Sequence, residues 1–298
     1  MKYIAFIITS ALLRLVALLP NFILYLLSDI LYFILYYLIA YRKEVSYRNL
    51  RNSFPELSGK EIKRLAKKFY RHLADIIIEN AVIQFWPERR LRHMFRCTNP
   101  EIIDRYYEKG RDIILITGHY CNWEWASPLS LTIKHLVIGV YKPLRNKYFD
   151  RAYRKARTRF GAVAVPMGSI GRALFEYKEK EIPTLTGMVG DQRPIRKHIQ
   201  YWTDFLGQKT AVFTGSEKLA KKFNAVVVFM KVRRIKRGVY QAEIELVTDT
   251  PNETSANEIT EKHTRILEKL ILEDPSSWLW SHNRWKISYE RWIELGGG

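Results

Sequence analysis

Between residues 113 and 247 short apolar runs alternate with segments of helical period, and this alternation restricts the fold more than any other feature. Ile113–Thr117, Leu136–Tyr141, Ala162–Val165, Thr184–Val189, Ala225–Val232 and Tyr240–Val247 read as strands. Asn122–Ile133, Asn146–Phe160, Ile170–Lys180 and Gly215–Phe223 read as helices between them. Unbroken apolar runs are strands buried on both faces, and crossover helices are what buries them. The pattern therefore predicts an α/β fold: a mixed, largely parallel central sheet flanked by helices. Upstream, Ser58-Gly59-Lys60-Glu61 has the form of a capping box, followed at helical spacing by Ile62, Leu65, Phe69, Leu73 and Ile76. No repeat, low-complexity segment or linker divides the chain after residue 42, so residues 42–298 are expected to form one domain. At 298 residues and 47% hydrophobic the chain can bury a real core, and its two cysteines, Cys97 and Cys121, exclude a disulfide-built fold.

Residues 1–41 differ from the rest. Tyr3 to Leu13 is apolar except for Thr9 and Ser10, Arg14 interrupts it, and Leu15 to Tyr41 carries one charge, Asp29. A spanning helix needs about 20 mostly apolar residues, which the second stretch supplies. Pro20, Asn21 and Asp29 make it an imperfect span, so a clean crossing and a kinked, partly interfacial helix are equal readings. A cleaved signal peptide fits poorly, because Arg14 breaks the run and no small-x-small site follows Leu27. A buried core helix is the third reading. The segment is expected to be an N-terminal membrane-anchoring helix. Only Lys2 precedes it, whereas Arg42, Lys43, Arg48 and Arg51 follow, and the positive-inside bias then places the body on the cytoplasmic side of the inner membrane.

The 49 Lys and Arg against 30 Asp and Glu give a net charge of +19, which favours anionic partners. Lys142, Arg145, Lys147, Arg151, Arg154, Lys155, Arg157 and Arg159 form one basic run, set against Asp150, and Lys231 to Arg237 forms a second. These suit either a solvated face or a landing surface for an acidic protein or anionic lipid. No helix-turn-helix, zinc-finger spacing or RNP-type aromatic strand is present, so nucleic acid is not expected as a partner. The histidines are scattered without metal-ligand spacing, and Gly168-Ser-Ile-Gly171 lacks the lysine of a phosphate loop, so no metal is expected. Trp278, Trp280, Trp285 and Trp292 suit both core packing and a headgroup-facing surface.

The most informative segment is Ile113-Ile-Leu-Ile-Thr-Gly-His119-Tyr-Cys-Asn122-Trp-Glu124-Trp125. A buried strand ends at Gly118, and a helix is expected to begin near Asn122, a favourable N-cap. In an open α/β sheet ligands gather at the C-terminal strand edge, which is where His119 falls. A helix N-terminus disfavours a protonated imidazole, which suits His119 to act as a base. Five residues of helix put His119 and Glu124 roughly 140° out of phase. They meet only if His119 sits in the turn and Glu124 in the first helical turn; Glu124 would then accept from the ring and fix its tautomer. Cys121 is expected to pack behind the turn.

Gly118-His119-x-x-Asn122-Trp123-Glu124 resembles the H-x4-D/E motif of the glycerolipid acyltransferases, and more narrowly of the lipid A biosynthesis late acyltransferases. The resemblance covers nearly the whole chain. Arg48-Asn49-Leu50 with Ser53-Phe-Pro-Glu56, Phe85-Trp-Pro87, Tyr141-Lys-Pro143, Arg157-x-Arg159-x-Gly161, Asp191-Gln192 and Trp278-x-Trp280-x-x-x-Arg284-Trp-Lys286 follow in family order. It implies a glycerolipid-acyltransferase-like fold and an O-acyltransferase. The enzyme would move a fatty acyl group from a thioester, usually acyl-acyl carrier protein, to a hydroxyl of a lipid A precursor, with no cofactor beyond the thioester. Carried over, His119 is the general base and Glu124 its partner, while Arg157, Asp191, Asn122, Arg159 and Arg284 are substrate-binding positions. Arg157 would hold a phosphate, a sugar acid or the developing oxyanion, and Asp191 would orient Arg157 or the acceptor. Arg193-Pro194 departs from the better-known members, which leaves lysophospholipids and aminolipids as alternative acceptors. A membrane-surface binding protein without enzymatic activity is the competing class.

Overall fold

The computed structural model describes residues 2–143 and 146–296. Arg145, part of the first basic run, lies outside them. Its helices are α1 (Lys2–Ala17), α2 (Asn21–Phe33), α3 (Lys43–Ser53), α4 (Gly59–Val82), α5 (Glu88–Met94), α6 (Glu101–Glu108), α7 (Lys147–Thr158), α8 (Ile170–Glu179), α9 (Gly215–Phe223), α10 (Glu258–Glu273) and α11 (Tyr289–Glu294). Its strands are β1 (Phe95–Cys97), β2 (Ile113–Thr117), β3 (Leu136–Tyr141), β4 (Val163–Pro166), β5 (Thr184–Val189), β6 (Tyr201–Phe205), β7 (Gln208–Val212), β8 (Val226–Lys236) and β9 (Val239–Thr248).

Among the described residues seven strands form one sheet in the order β1-β9-β8-β2-β5-β3-β4. All its pairings are parallel except the β8–β9 hairpin. The expected mixed, largely parallel α/β architecture is therefore present. The central strand β2 is buried at every residue, as its Ile-Ile-Leu-Ile-Thr sequence requires. The Lys231–Arg237 cluster occupies the end of β8 and the turn into β9.

Several elements lie outside the sequence reading: the short β1, the helix α10, and the β6–β7 hairpin. That hairpin turns through Leu206 and Gly207, both at positive φ, without the Asn-Gly or Asp-Gly pair that marks such turns. The segment expected to be a helix from Asn122 is a 3-10 helix over Trp123–Leu131, and Pro128 within it explains why. Its missing N–H and its ring disfavour the α-helical turn. The capping box at the start of α4 is formed in both directions: Ser58 N–H donates to Glu61, and Glu61 N–H to the Ser58 hydroxyl.

The N-terminal helices lie against the body. Leu24, Ser28, Tyr32 and Tyr36 are buried at four-residue spacing and form one stripe along α2 and the π-helical turn Ile34–Leu38 that continues it. Beside apolar packing, two polar contacts tie α2 to α4: the Tyr25 hydroxyl donates to Glu79 at 3.0 Å and the Ser28 hydroxyl to Asp75 at 2.6 Å. Glu79 is the hub. Its buried carboxylate also accepts from Asn122 at 2.7 Å and from the Tyr240 hydroxyl at 2.8 Å, joining α2, α4, β9 and the turn after β2.

Burial raises the Glu79 carboxyl to about 7, with Asp75 adding to the shift and the donors Asn122, Tyr240 and Tyr25 opposing it. A group bound more tightly to its proton when folded stabilises the fold below its unfolded value, and that stability is lost as pH rises through the folded value. Stability should thus fall between about pH 5 and 8, by an amount of order 2 kcal/mol. Glu79→Gln should flatten that slope, as read from urea denaturation midpoints across the window.

Candidate active site

The register of two neighbouring strands assembles the site. β2 and β5 are parallel, with Thr117 opposite Val189, so the residues two positions beyond each strand, His119 and Asp191, emerge at the same level of the C-terminal sheet edge. The His119 Nδ1 lies 2.6 Å from Asp191 Oδ1. The other carboxylate oxygen accepts from the His119 backbone N–H at 2.9 Å and from the Trp278 indole at 2.7 Å. On the far side of the ring, His119 Nε2 is 2.9 Å from the amide nitrogen of Gln192. That nitrogen only donates, so Nε2 accepts, and the ring proton sits on Nδ1 facing Asp191. Burial works against ionisation of Asp191, but the His119 side chain, the Trp278 indole and the His119 N–H outweigh it and hold the carboxyl at about 2.

The turn that presents His119 is pinned from behind. Gly118 lies against Leu267, whose Cδ1 would be 2.6 Å from an added Cβ, so any other residue here requires the Leu267 side chain to shift. Cys121 is buried in a left-handed conformation, and its N–H donates to Ser277 at 2.8 Å; it packs behind the turn as expected. Tyr120 bridges Trp278, and Leu279 N–H donates to the His119 carbonyl. Trp123 packs edge-on against the His119 ring, centroids 4.7 Å apart.

Glu124 does not face the His119 ring. It accepts two hydrogen bonds of 2.9 Å from Arg157 Nη2 on α7, and each side chain is mostly buried. The 3-10 geometry of the segment carries Glu124 toward α7, and the partner of His119 comes instead from β5, 72 residues away. Asp191 accordingly orients His119 and not Arg157, whose guanidinium is engaged by Glu124. The Glu124–Arg157 pair walls two adjoining cavities. One, of about 80 Å³, runs along the sheet against Leu115, Val137, Ile138, Val163 and Gly187, with Trp123 at its rim. The other, of about 230 Å³, lies under α7 against Ile83, Pro128, Phe149, Ala152, Ala156 and Phe160. Both are mainly apolar.

The remaining expected site residues bond to the protein itself. Asn122 is fully buried: its amide donates to Glu79 and its oxygen accepts from Glu124 N–H at 3.3 Å, which caps the 3-10 turn. Arg284 is also buried, donates to the Ala211 carbonyl at 2.6 Å, and lies behind Asp191, so neither residue is open to a substrate. Burial lowers Arg284 to about 10, opposed by the charge of Asp191. Arg159 donates to the carbonyls of Gln84 and Trp86 and remains exposed. Trp278 and Trp280 are core residues, which resolves one half of the tryptophan question. Two contributors escaped the sequence reading. The indole of Trp278 was visible only as part of a motif, and Glu79 only as an acid following three isoleucines on α4.

A carboxylate-oriented histidine at the C-terminal edge of an α/β sheet, beside apolar cavities, is a general-base arrangement suited to a substrate with a long apolar part. A model of the family described as bacterial lipid A biosynthesis acyltransferase matches residues 1–287, and the chain belongs to that family. It is similar to the lipid A biosynthesis palmitoleoyltransferase of Escherichia coli (strain K12), 21% identical over 247 residues, covering 82% of this chain and 79% of that one. The lipid A biosynthesis lauroyltransferase of the same strain is 24% identical over 250 residues, covering 84% and 80%. A lipid A biosynthesis acyltransferase of Haemophilus influenzae is 23% identical over 247 residues, covering 82% and 78%. The chain is an acyltransferase.

Replacing Trp278 by Phe removes one donor from a buried carboxylate. The expected cost is about 1–3 kcal/mol of stability, read from chemical denaturation, with a tryptophan fluorescence change confined to the site.

Proposed function

We propose that this acyltransferase moves a fatty acyl group from an acyl thioester to a hydroxyl of a lipid A precursor at the cytoplasmic face of the inner membrane. His119 is the general base. The observation that carries the reading is the Asp191–His119–Gln192 chain, which leaves the Nε2 lone pair at the open edge of the sheet. An acceptor hydroxyl replacing the Gln192 amide at Nε2 gives up its proton there as its oxygen attacks the thioester carbonyl. Asp191 stabilises the imidazolium that forms. Collapse of the tetrahedral intermediate expels the thiolate, which takes the proton back from His119. The acyl group ends as an ester, the carrier as a thiol, and no cofactor is consumed.

The two cavities suit the acyl chain, and Glu124 and Arg157 set the boundary between them. Glu124 therefore acts by holding Arg157. The outer side of α7 supports an acidic carrier protein as donor partner. Lys147, Arg151, Arg154 and Lys155 are exposed there, while Phe149, Ala152 and Ala156 of the same helix line the larger cavity. A docked acidic carrier thus stands directly over the place its acyl chain enters. The acceptor is taken from the family, whose relatives are named for lipid A.

The test is a purified-enzyme assay with acyl-acyl carrier protein and, separately, acyl-coenzyme A, read by mass spectrometry of the lipid. Gain of one acyl chain by a lipid A precursor is the expected result; acylation confined to lysophospholipids would replace the acceptor. His119→Ala should lower kcat about 10³-fold or more and Asp191→Asn about 10²–10⁴-fold, with both proteins folded. Near-wild-type turnover by either variant removes His119 from its role. Ala156→Phe, which fills the larger cavity, should depress kcat/KM for long acyl donors more than for short ones.

A further inference from the structure

Both N-terminal helices present exposed apolar side chains, and α2 also carries a buried stripe. Along α2 the residues Leu24, Ser28, Tyr32 and Tyr36 face the protein, while Phe22, Leu26, Ile30 and Phe33 are exposed at the same helical spacing. Along α1, Ile4, Ile8, Leu12 and Leu15 are exposed in the same way, and Leu18 in the connection is 81% exposed. Exposed apolar surface of this extent is not a property of a helix in water. The stretch Asn21–Leu38 is long and apolar enough to cross a bilayer, so length alone does not decide how the face is covered.

The tethers decide it. They run the whole length of the stretch: Tyr25 to Glu79, Ser28 to Asp75, Asp29 to Arg237, and the Tyr36 hydroxyl to Tyr47. Arg237 also grips Asp75 and lies over the Tyr25 ring, at 4.6 Å from its centroid. Arg71 lies over Tyr32 and Lys67 beside Tyr37. If this stretch stood across the bilayer, α4 and the β8–β9 turn would be carried in with it, placing Lys67, Arg71, Asp75 and Arg237 at hydrocarbon depth. If it left the body to cross alone, Asp75 and Glu79 would lose buried partners and Asp29 would enter the membrane unpaired. The helix α1 is held in the same manner, by Tyr3 on Tyr148, Phe6 on Phe149, Arg14 on Phe85 and the Ala17 carbonyl on Arg90.

We propose that α1 and α2 do not cross the membrane but lie in its plane, pressing their exposed apolar stripes into a single leaflet of anionic lipid. Hydrogen bonds, ring contacts and the Asp29–Arg237 pair fix the helices to the body, and the exposed apolar residues exchange water for acyl chains. Arg71, Lys67 and Lys236 flank this surface and meet the headgroups. The larger cavity, lined by Phe149 of the helix that α1 packs on, then opens beside the leaflet from which a lipid acceptor is drawn.

This rests on the membrane association proposed above, but not on the catalytic roles, because it is tested without turnover. Both native cysteines are buried, so single cysteines at Ile4, Leu12, Phe22, Ile30 and Leu38 in the full chain can be labelled with an environment-sensitive fluorophore. The labelled proteins are bound to phosphatidylethanolamine–phosphatidylglycerol vesicles with acyl chains brominated near the headgroup or near the bilayer centre. Helices lying about 5–10 Å into the leaflet require quenching at least about twofold greater by the shallow bromines at all five positions. Quenching by the deep bromines that peaks at Ile30 and falls toward Phe22 and Leu38 overturns the in-plane arrangement while leaving membrane association intact. No quenching at any position overturns both. Asp29→Leu adds a second reading. A crossing helix made more apolar stays at its depth, whereas an in-plane helix deprived of its Arg237 tether loosens from the body and its label at Ile30 moves deeper.

Discussion

The parallel pairing of β2 with β5 is the constraint on which the site depends. Once Thr117 stands opposite Val189, the chain has no freedom about which residues leave the sheet together, and His119 meets Asp191. A slip of one residue in that register would turn the side chains of β5 to the opposite face and unmake the site along with the core. Both strands are apolar and buried, so the packing that stabilises the sheet is also what places the chemistry. The C-terminal segment completes the arrangement. Ser277, Trp278 and Leu279 form hydrogen bonds with the turn, so a segment about 160 residues downstream closes the back of a site built at residue 119.

A second constraint lies in two buried carboxylates. Asp75 and Glu79 are one turn apart on α4 and point at opposite neighbours: Asp75 to Ser28 and the two arginines of β8 and its turn, Glu79 to Tyr25, Tyr240 and Asn122. Asn122 in turn caps the segment that carries Glu124. The helix α2 is thereby connected to the turn that carries His119 through two hydrogen bonds and one side chain, Tyr25 to Glu79 to Asn122. Paired burial of this kind adds little net stability compared with an apolar core, but it discriminates strongly among arrangements, because removing any one partner strands a charge. It gives a reason for Ser28 and Asp29 to stand in an otherwise apolar stretch: Ser28 is buried against Asp75, and Asp29, half-exposed, pairs with Arg237.

The strands were legible because a parallel sheet buried on both faces leaves continuous apolar runs, and β2, β3 and β5 fall where those runs lie. The level of His119 followed from the same signal. What the sequence did not carry was the partner of the histidine. Glu124 is near in sequence and Asp191 far, and a motif written as a five-residue spacing invites the near pairing. Pro128 and the 3-10 path it enforces turn Glu124 toward Arg157 instead, and only strand order brings Asp191 alongside. The β6–β7 hairpin was missed for a local reason, since Leu206 occupies a left-handed position usually marked by Asn, Asp or Gly.

The charge of the chain divides by what it touches. Arg157, Arg233, Arg234 and Arg237 are spent on carboxylates within the fold, and Arg159 and Arg284 on backbone carbonyls. The exposed basic side of α7 is of another kind: its outer residues face solvent while its inner ones line the larger cavity, and its aromatic residues Tyr148 and Phe149 hold α1. One helix therefore borders the larger cavity, an exposed basic surface and α1 at once. In the proposed reaction, an acyl chain delivered over α7 and a lipid presented beside α1 would reach the same cavity from two sides. The net charge that first suggested any anionic partner thus resolves into an internal share that holds the fold and an external share on α7, where the proposed acidic donor would dock.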